Sequence, residues 1–178
     1  MEISIEDHKL PYETHSLYDV KFFGDKIRTL LALTSSGDPT LGRRFDNPVA
    51  TLQLTAGNDC LIFQLLYCPT GIPQSLCAFL SNTTYTFVGV GIENDAKKLM
   101  DDHGLRVGNA VDLRGLAAEK LGDLKWKNSG IKGLAREVLG KGVEKPKRIT
   151  LSRWDNAWLY CCSSSICLSR CLFVLEDW

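Results

Sequence analysis

No run of apolar residues in this chain approaches the roughly 20 that a membrane-spanning helix requires, so a membrane-inserted protein is not expected. Net charge is absent too: 21 Lys and Arg stand against 21 Asp and Glu, for a formal charge of zero. Proteins that hold nucleic acid mainly through overall charge are usually basic, so any such grip here must come from a local patch. The N-terminal stretch MEISIEDHKLPYE is acidic and polar and shows no secretory signal, which makes the cytoplasm or the nucleus the expected location. The seven cysteines are accordingly read as free thiols. Four of them, Cys161, Cys162, Cys167 and Cys171, lack the short C-x2-C knuckles of zinc sites. Internal repeats and low-complexity linkers are also missing. A length of 178 residues with 44% apolar content suits one domain with a sizeable core.

Residues 1–16 are expected to form a flexible leader, 17–159 the folded domain, and 160–178 an aberrant tail rich in Cys and Ser. Leu17–Phe23 alternates as a strand does, and Leu30–Leu33 is a second short apolar run ahead of the turn-forming Ser35-Ser36-Gly37-Asp38-Pro39. Val49–Thr55 and Cys60–Tyr67 flank Ala56-Gly57-Asn58-Asp59, which predicts a hairpin with a four-residue loop. Pro73 opens a short helix with Leu76, Phe79 and Leu80 on one side. Helices are also predicted over Asp112–Leu121, with Leu113, Leu116, Ala117 and Leu121 as the apolar stripe, and over Ser129–Leu139. In the latter the stripe is Ile131, Leu134, Ala135, Val138 and Leu139, and Gly140 is the stop. A hairpin followed by alternating strands and helices argues for an α/β fold with a mixed sheet.

The most informative stretch is TFVGVGIENDAKKL, Thr86 to Leu99. Phe87, Val88, Val90 and Ile92, with Gly89 and Gly91 between them, predict a strand. Ala96, Leu99, Met100 and His103 predict a helix, with Asn94 as its N-cap and Gly104 as its stop. Asp95 then stands at the junction, bordering the buried face, where open α/β sheets place ligands. The same position has a plainer reading, because acidic residues in a first helical turn complement the macrodipole and the free N–H groups. A dinucleotide-binding loop does not fit: the third glycine is missing, and the glycines are expected inside the strand instead of in the turn after it.

With its neighbours, this string resembles the Werner-syndrome-type 3'–5' exonuclease domain of the DnaQ-like DEDD superfamily. The resemblance runs from about Leu17 to Leu159 through NPVATLQL (Asn47–Leu54), CLIFQLLY (Cys60–Tyr67), IPQSLCAFL (Ile72–Leu80) and FVGVGIENDAKKL. It continues in NAVDLRGLAAEKLG (Asn109–Gly122), GIKGLAREVLGK (Gly130–Lys141) and RWDNAW (Arg153–Trp158). It implies an RNase H-like mixed sheet flanked by helices, and a nucleic acid, DNA or RNA, as partner. The implied activity is hydrolysis of phosphodiester bonds from a 3' end with two Mg²⁺ or Mn²⁺ ions. Two such ions roughly 4 Å apart concentrate four positive charges, which several carboxylates must offset. The family supplies four: an Asp-x-Glu on the first core strand, one acid at the strand-to-helix motif, and the Asp of a Tyr-x-x-x-Asp on a late helix.

Asp95 matches the third acid, as a metal ligand in the catalytic centre. The first-strand motif usually reads LVGLDVEWRP; aligned without gaps on Pro39, it puts Thr34 at the aspartate and Ser36 at the glutamate. Neither hydroxyl carries charge at neutral pH. Asp38 is out of register and precedes a proline, which suits a turn residue. The spacing from Phe23 to Pro39 is short for the family, as though a helix had been deleted before this strand. In the tail, Tyr160 is followed four residues on by Ser164 instead of Asp, and Glu176 and Asp177 come too late. A one-base shift of reading frame over Cys161–Cys171 can restore a family-like helix, so 160–178 has the character of an out-of-frame segment. Lys141, Lys145, Lys147 and Arg148 are the candidate phosphate contacts, though such a run also suits a solvated loop. Three outcomes stay open: an active exonuclease, a non-catalytic member that binds nucleic acid or self-associates as a homo-oligomer, and a mis-spliced product without function.

Overall fold

The computed structural model describes residues 4–8, 15–22, 25–32, 48–68, 71–140 and 172–175. Strands β1 (Ser4–His8), β2 (His15–Phe22) and β3 (Asp25–Ala32) form an antiparallel meander. Next come β4 (Thr51–Ala56), β5 (Asp59–Gln64) and helix α1 (Gln74–Ser81). Two strand–helix pairs follow: β6 (Thr86–Gly89) with α2 (Ile92–His103), and β7 (Ala110–Asp112) with α3 (Leu113–Leu121). A 3₁₀ turn (Leu124–Asn128), α4 (Ile131–Leu139) and β8 (Leu172–Leu175) complete the order. The strands join one sheet in the order β1-β2-β3-β5-β4-β8-β6-β7. It is a mixed sheet flanked by helices, as expected. The segment expected as a leader, 1–16, contains the strand Ser4–His8, with Ser4 opposite Lys21 and His8 opposite Leu17. Within the tail expected to be aberrant, Leu172–Leu175 is likewise a strand.

Alternation organises the hairpin. Leu52 and Leu54 of β4, with Phe63 of β5, point to one face and join the main core, while Gln53 lies opposite Ile62 on the other. The turn is tighter than expected, because Ala56 still pairs with Asp59 and only Gly57-Asn58 remain between the strands. A two-residue hairpin turn needs positive φ at its first central residue, and Gly57 supplies φ +54° without a side chain to oppose it.

Helices α1 and α2 cover that core face: Leu76 and Leu80 from α1, and Ile92 and Leu99 from α2, pack with Leu52, Leu54, Phe63 and Phe87. The far end of α2 also grips the chain before β4. The Val49 N–H donates to Asp102 Oδ2 at 2.8 Å, and His103 Nε2 lies 2.7 Å from the Val49 carbonyl. A carbonyl only accepts, so Nε2 carries the proton in this contact. A second cluster joins α3, the 3₁₀ turn and α4 through Ala118, Trp126 and Leu134, with Val90, Leu113 and Ala117 against it. Two stripes are narrower than their periodicity suggests. Leu121 ends α3 exposed and Val138 is exposed on α4.

Chain direction decides which strand ends meet. Strand β3 is parallel to β5, β5 antiparallel to β4, β4 parallel to β8, and β8 antiparallel to β6. The carboxyl ends of β3, β5 and β6 therefore lie along one border of the sheet, and β7, parallel to β6, adds its own. Along that border β3 and β6 are far apart. With β5, β4 and β8 between them, the separation is about 19 Å at the usual strand spacing.

Candidate functional site

The β6–α2 junction forms earlier than periodicity suggests. The strand stops at Gly89, Gly91 takes the N-cap position at φ +78° and ψ 23°, and α2 begins at Ile92. This left-handed conformation suits glycine and ends the strand, so Ile92 becomes the first helical residue and is fully buried in the core. Asn94 is thus not the cap but a first-turn residue, its N–H bonded to the Gly91 carbonyl at 3.0 Å. Gly91 also lies in the turn after the strand, not within it. Gly104 stops the helix as expected. Met100 falls on the solvent side, and Ile92 takes the place in the apolar stripe that Met100 was expected to fill.

Asp95 and Glu93 both lie in the first turn of α2, exposed at the carboxyl end of β6. Asp95 was expected to border the buried face and is exposed instead. Its place suits either a ligand-facing acid or a charge complementing the helix dipole.

A second carboxylate at this border of the sheet was not anticipated. Asp112 ends β7 and caps α3, its Oδ1 accepting from the Arg114 N–H at 2.9 Å. Its Oδ2 accepts from the Gly91 N–H at 3.0 Å, across the parallel β6–β7 pair. The Arg114 guanidinium closes on the same carboxylate, Nη2 to Oδ2 at 2.6 Å and Nε to Oδ1 at 3.0 Å. The guanidinium hydrogen bond is the main force holding the Asp112 carboxyl below the usual carboxylate range. Partial burial pushes the other way, and the Arg114 and Gly91 N–H groups reinforce the lowering. Arg114 is raised in turn, chiefly by Asp112, with Glu93 adding a smaller attraction from α2. The signal for Asp112 was present in its position before LRGLAAEKL, a common N-cap pattern. Nothing local pointed to Gly91.

Among the described residues, no group of three or more His, Cys, Asp or Glu side chains is placed to hold a metal ion. Asp112 is already held by Arg114 and Gly91, and Mg²⁺ demands a near-octahedral shell of oxygens. The described residues do not fit a two-metal centre. Thr34, Ser36 and Asp38 lie outside the described residues, as do Lys141, Lys145, Lys147, Arg148, Tyr160, Ser164, Glu176 and Asp177. What is described of the first-strand region is β3, which ends at Ala32. It runs four strand spacings from β6.

The family model for 3'-5' exonucleases matches residues 39–165. This chain belongs to that family. A 3'-5' exonuclease of Arabidopsis thaliana is 37% identical over 109 residues, covering 60% of this chain and 36% of that protein. Exonuclease 3'-5' domain-containing protein 2 of Homo sapiens is 31% identical over 143 residues, covering 74% of this chain and 23% of that protein. The chain thus spans about a third of the first relative's length and under a quarter of the second's. Among solved structures, the EXD2 exonuclease domain soaked in Mg and GMP is similar at 29% identity and a TM-score of 0.42. That match covers 70% of this chain and 63% of that one. The family assignment rests on the sequence matches. Among the described residues, no helix of this 3'-5' exonuclease-family chain is long and apolar enough to cross a membrane.

Proposed function

We propose that this chain is a nucleic-acid-binding 3'-5' exonuclease domain that holds 3' ends at the β6–α2 border without hydrolysing them. The observation that supports this reading is the setting of Asp95. It matches the family's strand-to-helix acid, yet no metal-holding cluster surrounds it among the described residues. Two-metal hydrolysis depends on ions clamped over both the attacking and the leaving oxygen, and one carboxylate cannot position two. Binding asks less, since phosphate contacts supply most of the affinity for nucleic acid. Within this reading Mg²⁺ or Mn²⁺ interacts weakly, through Asp95 and the phosphates of the bound strand.

The test pairs a gel shift at low salt, with and without Mn²⁺, with a nuclease assay on single-stranded and 3'-recessed DNA and RNA. The expected result is binding in both conditions and no shortening above the level of Asp95→Ala. Metal-dependent shortening that Asp95→Ala abolishes would establish hydrolysis and overturn the non-hydrolytic part. Absence of any shift at low salt would overturn the binding part.

A further inference from the structure

We infer that Asp112 is a positioning residue for the acidic first turn of α2, holding through the Gly91 amide the turn from which Asp95 projects. This rests on the reading of the β6–α2 border as the nucleic-acid site. Three elements converge on one carboxylate: the end of β7, the start of α3, and the turn that starts α2. The bond to Gly91 links residues 21 positions apart at 3.0 Å and ties that turn to the next strand–helix unit.

Gly91 needs such a hold. Its left-handed backbone is a point at which the chain can swing, and α2 has no side-chain cap of its own at that end. Asp112 supplies from outside what a capping side chain would supply from within. Arg114 stiffens the arrangement. Its fork fixes the carboxylate plane at two nitrogens, and its Nη2 would lie 3.7 Å from a Cβ placed on Gly91, so the guanidinium lies against the turn. With Glu93 drawing on the same guanidinium, the pair reaches α2 by charge as well as by hydrogen bond.

Asp112→Asn is the informative variant, because asparagine is as good an N-cap as aspartate and leaves α3 its start. It has one oxygen where three donor groups now converge, and its amide nitrogen faces donors. Arg114→Lys is the companion, keeping the charge and losing the fork. On the full chain, hydrogen exchange at the Gly91 amide is compared with the Gly108 amide, which bonds to Leu80 O outside the cluster. Exchange at Gly91 should rise roughly tenfold in Asp112→Asn, the equivalent of one lost hydrogen bond, with Gly108 unchanged. In the presence of Mn²⁺, affinity for a single-stranded oligonucleotide should fall in Asp112→Asn, and the Asp112→Asn/Asp95→Asn double variant should lose no more than Asp95→Asn alone. Gly91 exchange equal to wild type, or additive losses of affinity, would overturn the assignment. If the wild-type chain binds no oligonucleotide, the functional reading falls, and Gly91 exchange by itself decides whether Asp112 holds the turn.

Discussion

Gly108 lies where the connection from α2 to β7 passes the end of α1, and its N–H donates to the Leu80 carbonyl at 2.7 Å. A Cβ placed there would stand 2.7 Å from Ser81 O and 2.9 Å from the carbonyl carbons of Ser81 and Asn82. All three are backbone atoms, so no side chain can turn aside. For Gly108→Ala the connection must retreat from α1 by several tenths of an ångström, stretching the bond to Leu80. Overpacking of this kind costs about 1–3 kcal/mol and a weakened backbone hydrogen bond about 1 more, for a total of about 2–4 kcal/mol. At this chain length the middle of that range lowers Tm by about 9 °C. Gly115→Ala is the matched control. Gly115 sits in α3 with nothing within 4 Å of the added methyl, and alanine there should stabilise by up to about 1 kcal/mol. Urea unfolding followed by circular dichroism measures both. If Gly108→Ala unfolds at the wild-type midpoint, or both variants move together, the close approach of the connection to α1 is wrong.

Removing Asp102 or His103 should free the Val49 backbone from α2 and cost about 1–3 kcal/mol each. The double variant should lose less than the sum in urea titrations, since both side chains hold one residue. Asp112 should stabilise the fold at neutral pH. Its folded pKa is held low by Arg114, so its contribution is complete above the ordinary aspartate range near 3.9. That contribution fades as pH falls through the lower folded value. Melting curves of wild type and Asp112→Asn should therefore differ most near pH 7 and converge in acid; a constant gap refutes this. Trp126→Ala should cost about 3–5 kcal/mol by emptying the space between Ala118 and Leu134. Amide exchange should then quicken in α4 before it quickens in the β4–β5 hairpin.

Local features proved readable from residue patterns, and distant ones did not. The hairpin's alternation, the core positions Leu76 and Leu80, and the glycines that stop α2 and α4 all follow from period and composition. The start of α2 was displaced because Ile92 suits a strand and a helix equally; the backbone of Gly91, invisible in composition, decides between them. The buried Trp126 turn carries no period long enough to detect. The placement of β3 beside β5 and the bond from Asp112 to Gly91 are pairings between segments far apart in sequence. Spacing rules describe neighbours along the chain, so they are silent on these. The reading of Asp95 as a family acid rests on the same kind of local string.

Strand β8 has a consequence for how the chain is made. It is the strand through which β4 and β6 are joined, pairing position 54 with 172 and position 87 with 174. Until that segment has left the ribosome, the hairpin and the β6–β7 pair each present an unpaired inner edge. Such edges invite pairing with other chains, and sheets closed by distant segments form slowly. Between the emergence of β6 and that of β8, synthesis therefore leaves this sheet open down its middle.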